Sequence, residues 1–215
     1  MRKFATLFGL STIVIALVAA APPAEAAGAT VCNGPLAPGT YHRVVVPDGA
    51  FCFSDGPVSI RAGLWISWGG TFVLGSDEDT SATGTIGGGV HASDPASVQI
   101  HQARINGGIR ISGGSGPFGG PFDVTFNAIE DNVIHGGATV TGYDGFWFGF
   151  IRNHVSGTVR LSDNTLADPD GNEYVTNVIH GSLMCWGNAP APQVGDSEGS
   201  PNEVSGAKTG QCTNV

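Results

Sequence analysis

Six segments of this chain share one pattern, an aliphatic residue, a gap, a Gly, and then alternating aliphatics. They read IGGGVHA (86–92), INGGIRI (105–111), IHGGATV (134–140), VSGTVRL (155–161), IHGSLMC (179–185) and, more weakly, VSGAKTG (204–210). The anchor glycines are Gly88, Gly107, Gly136, Gly157, Gly181 and Gly206, and they recur roughly every 24 residues, the period of a solenoid turn. Each copy is too short to bury a face alone, and stacking the copies solves that. A leucine-rich repeat would need a Leu-rich consensus, and a β-sandwich has no reason to repeat the same residues in register. The pattern predicts an all-β fold: a single-stranded parallel β-helix of roughly seven coils, rising about 4.8 Å per coil.

Alternation assigns faces. Ile86, Ile105, Ile134, Val155, Ile179 and Val204 form one inward column. Val90, Ile109, Ala138, Val159 and Leu183 form a second, and Ala92, Ile111, Val140, Leu161 and Cys185 a third. The Gly column is read as corners at φ > 0 or in close backbone approach. Asn132, Asn153, Asn177 and Asn202 stand four residues before their anchors. They are expected to form a stacked ladder at a turn that tolerates the left-handed conformation.

The first residues read differently. Arg2 and Lys3, the apolar run 4–21 and AEA at 24–26 have the form of a cleaved secretory signal. The expected organisation is a leader (1–26) and one β-solenoid domain (27–215), with an N-terminal cap (27–57), coils (58–188) and a C-terminal cap (189–215). Export makes disulfides the default for the four cysteines. Two cysteines lie near each end, which predicts Cys32–Cys52 and Cys185–Cys212, stapling both open ends. Each bond should contribute roughly 3 kcal/mol in the chain-entropy model. The mature chain would be secreted or held at the cell surface, and monomeric, with no membrane span. Its formal charge of −9 becomes about −10 without the leader, a surface that repels nucleic acid and anionic membranes.

GSLMCWGNAPAP (181–192) followed by PNEVSGAKTGQC (201–212), with VVVPDGAFCF (44–53) near the start, resembles the signature of small exported actinobacterial proteins. That signature is G-N-L-x-C-x-G-N-x-P, then N-x-V-x-G-x-x-x-G-Q-C. The resemblance implies a right-handed β-helix and export, and carries no established activity. The chain departs from it in GYDGFWFGF (142–150) and in the Gly-rich loop 112–121.

Several β-helix proteins are polysaccharide lyases or hydrolases, which need two carboxyl groups about a scissile bond or a basic residue beside Ca²⁺. Glu130, Asp131 and Arg152 are the local candidates. Asp131 and Arg152 each lie five residues before an anchor, so they should be stacked neighbours; the plainer reading is a rung-to-rung salt bridge. Asp163, Asp168, Asp170 and Glu173 would hold Ca²⁺ or simply form an acidic turn, and no cofactor is expected. His135 and His180 share a column two rungs apart, about 9.6 Å, too far for one metal. The aromatics Trp65, Trp68, Tyr143, Trp147 and Trp186 are candidates for stacking on sugar rings or a protein partner. In FWFGF, Phe146, Phe148 and Phe150 should share one face and Trp147 the other. The favoured reading is a non-catalytic exported solenoid that meets an extracellular polysaccharide or a cell-surface protein. The alternatives are a carbohydrate-active β-helix enzyme, a carbohydrate-binding module and a structural protein that self-assembles end to end, against which the terminal disulfide caps speak.

Overall fold

The computed structural model describes residues 28–54, 56–76, 83–115, 126–195 and 199–215. The expected leader and most of the Gly-rich loop lie outside the described residues. The chain winds through three parallel sheets of nine, seven and eight strands, here sheets A, B and C. One coil serves as example: Val90–Ser93 lies in sheet A, Ser97–His101 in sheet B and Ala103–Ile105 in sheet C. Each strand pairs in parallel with its counterpart one coil earlier and one coil later. This is a parallel β-helix.

The inward columns are in register as the alternation requires. Val90, Ile109, Ala138, Val159 and Leu183 are successive partners, as are Ala92, Ile111, Val140, Leu161 and Cys185. The Ile86 to Val204 column stacks likewise in sheet C. Nearly all these side chains are buried in one continuous core, with Val204 packed partly buried at its edge. Full burial of each Ile, Leu or Val contributes about 1.5–3 kcal/mol. The ladders already begin at Ala29–Val31 and Arg43–Val46, within the stretch read as a cap. Both disulfides form as paired from the sequence. Cys32–Cys52 joins the first coils. Cys185–Cys212 ties a short 3₁₀ helix, Gln211–Asn214, across the last coil.

The corners differ from the expectation in two ways. The anchor glycines are not in the left-handed region; the positive φ values fall elsewhere. Their requirement is steric: a Cβ on Gly181 would lie 2.5 Å from the Gly157 backbone, and one on Gly107 2.5 Å from that of Gly89. The asparagines are not the left-handed residues either. That conformation belongs to the residue just before them or their equivalent, Gln102, Asp131, Arg152 and Thr176, with φ of 54–58°. The bend there turns the following Asn side chain inward.

Asn132, Asn153, Asn177 and Asn202 are buried. Asn153 Nδ2 donates to Asn177 Oδ1 at 3.0 Å and to the Ile129 carbonyl at 2.7 Å. Its Oδ1 accepts from the Asn132 backbone N–H and from Asn132 Nδ2, both at 3.1 Å. Each amide thereby satisfies backbone groups that the corner removes from the sheet ladders. A second column, the buried Asn164 and Asn188 and the half-buried Gln211, does the same at the corner between sheets A and B.

Candidate functional site

The outward residues of sheet A form a continuous stripe along the solenoid axis. Trp65, His91, Arg110, Thr139, Arg160 and Met184 are successive register partners. They are the middle, outward positions of copies such as IRI and VRL. Beside them runs a hydroxyl column, Ser93, Ser112, Thr141 and Ser162, ending at Trp186. Trp65 leans over Gly63: a Cβ there would come within 2.5 Å of the indole. Arg43 stacks on Trp65 at 4.4 Å, and the His91 ring lies 4.8 Å away and nearly parallel. Arg160 stacks over Trp186 at 5.0 Å. Trp186 is 38% exposed and Trp68 68% exposed.

No strand of sheet A contains Asp or Glu, although the chain has 18 of them. A shallow groove of about 530 Å³ lies over Trp65, Ser67, Trp68, His91, Ser93 and Arg110. A hollow of about 320 Å³ is lined by Trp68 together with Asp94 and Asp144. The arrangement offers partly exposed indoles, guanidinium groups and hydroxyls along one sheet face.

Glu130, Asp131 and Arg152 do meet. Arg152 Nε and Nη2 donate to the two Asp131 carboxylate oxygens, both at 2.8 Å, and Nη2 reaches Glu130 Oε2 at 3.2 Å. His101 Nδ1 lies 3.9 Å from the same Glu130 oxygen. Glu130 is buried on the outer side of sheet B, and Asp131 occupies the left-handed corner. Both carboxylates converge on one guanidinium rather than facing each other across a cleft, so the cluster is built as a brace between adjacent coils.

The other candidates separate. Tyr143 is not on the surface: it is fully buried, edge-on to Phe148. Burial, reinforced by the neighbouring Asp144 charge, raises its pKa well above the usual phenol range. Alternation fails there because Tyr143 lies at a corner, directly after the left-handed Gly142, and not in a strand middle. For the same reason Phe146 is 47% exposed while Phe148 and Phe150 are buried, the strand beginning only at Trp147. Trp147 is half-buried, lying over Gly149 and edge-on to Phe126 at 5.5 Å. The four acidic residues do not gather. Asp163 sits against Gly187, Asp168 Oδ1 accepts from the Asp170 backbone N–H at 3.1 Å, and Glu173 is buried in sheet B facing Gln193. Among the described residues no group of three or more His, Cys, Asp or Glu is placed to hold a metal. His135 contacts Arg104.

The sequence reading passed over Arg43, Arg110 and Arg160. Their signal was the middle position of the copies, visible once the outward column is written down as the inward ones were. Compared with protein-family models, with curated proteins and with solved structures, the chain finds no match.

Proposed function

We propose that this chain is an exported, non-catalytic β-solenoid module that binds an extracellular polymer with the outer face of sheet A. One observation carries the reading: an acid-free, tryptophan-bearing stripe runs along the axis of an otherwise acidic protein. Partly exposed indoles flanked by hydroxyls and guanidinium groups suit apolar contact and hydrogen bonding with sugar rings. Export is supported by the leader-like residues 1–26 and by two disulfides. Among the described residues no helix is long and apolar enough to cross a membrane.

The hollow shared by Trp68, Asp94 and Asp144 favours a second reading, a carbohydrate-active enzyme, since two carboxyl groups beside an exposed indole are the minimum such chemistry needs. Incubating the mature protein with soluble and insoluble polysaccharides, with and without Ca²⁺, separates the two. The module reading expects pull-down that Trp65→Ala weakens, with no new reducing or unsaturated ends. New ends that disappear in Asp94→Asn or Asp144→Asn would replace it with the enzyme.

A further inference from the structure

The charges of the sheet A stripe narrow the ligand class, an inference that rests on the reading of this face as the binding surface. We propose that the ligand is a linear polysaccharide carrying carboxylate groups, a uronic acid polymer, lying along the solenoid axis. Its sugar rings would lie against the Trp65 edge and Trp186, and its carboxylates on Arg110 and Arg160.

The charge along this stripe is unbalanced. In a chain with formal charge −9, chance would pair surface arginines with carboxylates. Arg152 is paired in this way, with Asp131 and Glu130. Among the described residues Arg43, Arg110 and Arg160 have no ion pair, and their sheet offers none. Two of the three stack on indoles. Stacking uses the flat face of a guanidinium, as at Arg160, and leaves its in-plane N–H groups available to a carboxylate. Cation–π contact also holds those side chains in place before a ligand arrives, which lowers the ordering cost of binding.

Spacing and width select the polymer. Arg110 and Arg160 are separated by the single rung of Thr139, so they stand two rungs, about 9.6 Å, apart. An extended pyranose chain advances about one rung per sugar, and one in a two-fold conformation presents alternate carboxylates on the same side. The stripe is one basic residue wide, and Asp94 and Asp163 border it at the corner toward sheet B. A nucleic acid, with a phosphate on every residue and a broader body, would be repelled there. A thin chain with sparser charge would not be.

The test uses the disulfide-bonded mature protein against polygalacturonate, polyguluronate and hyaluronate. Fully methyl-esterified polygalacturonate and polyaspartate are the controls. The proposal expects at least one uronate polymer to bind, and esterification to weaken binding about tenfold or more. The Arg110→Gln/Arg160→Gln double variant should lose a similar factor, with a shallower salt dependence. Polyaspartate should bind more weakly than the uronate polymer. Equal binding of the ester, unaffected by the arginine changes but lost in Trp65→Ala, would overturn the acidic ligand and leave the module reading standing. Equal binding of polyaspartate would reduce the stripe to general electrostatics and overturn the glycan. Binding indifferent to Trp65→Ala, Trp186→Ala and the arginine changes alike would sink the sheet A reading itself. Absence of binding to all three uronates would overturn the proposal.

Discussion

Sheet A turns Arg110, Thr139 and Arg160 toward solvent, whereas the polar outward side chains Gln99, His101, Glu130 and Glu173 of sheet B are buried. Both sheets feed the same core with the same alternation, so the inward half of each strand says nothing about this difference. The outward half decides it. Where outward groups are buried most are paired: Glu130 is gripped by Arg152 with His101 close by, and Glu173 accepts from Gln193 through one oxygen, its other oxygen having no hydrogen-bond partner among the described residues. Where they face solvent they are free to be chosen for a ligand, and there the chain places unpaired cations beside indoles. Polarity alone therefore does not mark a binding surface in a solenoid; polar groups without an internal partner do.

Substitutions sharpen this contrast, and the largest effect should come from the interior that both sheets share. Asn153→Ala removes two donated and two accepted hydrogen bonds in a buried corner. It should cost about 3 kcal/mol or more, read as a lower urea midpoint. On the covered side, Arg152→Met leaves Glu130 buried without this partner and should cost about 1–2 kcal/mol by the same measurement.

The two buried tyrosines should separate next. The Tyr174 hydroxyl donates to Asn172 Oδ1 and accepts from Asn164 Nδ2, while the buried Tyr143 hydroxyl has no hydrogen-bond partner. Tyr174→Phe should cost about 1 kcal/mol, and Tyr143→Phe should be neutral or slightly stabilising. Burial raises both phenols above their ordinary pKa, partly offset at Tyr174 by the Asn164 hydrogen bond. A raised phenol leaves stability intact below its unfolded pKa of about 10 and withdraws it as pH climbs toward the folded value. Thermal unfolding midpoints should therefore fall above about pH 10, and fall less in the double Tyr→Phe variant. The smallest effect belongs to the open face: Arg110→Ser should shift stability by no more than about 0.5 kcal/mol. A large loss there would mean that the stripe is structural and erase the contrast with sheet B.

Much of this architecture was legible because inward columns obey a period of two within each strand, and the Gly and Asn marks set the coil register. The first two coils were not, since the segment CNGPLAPGTYHR (32–43) lacks the anchor Gly and carries its strands between prolines. Side-chain direction could not be carried across corners: a single left-handed residue such as Asp131 resets it, which is why Asn132 is buried. Tyr143, next to the other corner, was misplaced for the same reason. The Asp131–Arg152 contact was legible because both stand at one offset from their anchors. The Arg43–Trp65 stack was not, because it joins different columns of neighbouring coils.

The most direct test of the central claim is a residue-resolved titration, with backbone amide chemical shifts of the mature protein followed as a binding polysaccharide is added. The account predicts shifts concentrated at Trp65, His91, Arg110, Arg160 and Trp186, in line along sheet A, with Asn153 and Glu130 undisturbed. Shifts centred on Glu130 and Arg152 or on the sheet C face, with the sheet A stripe unmoved, would contradict it.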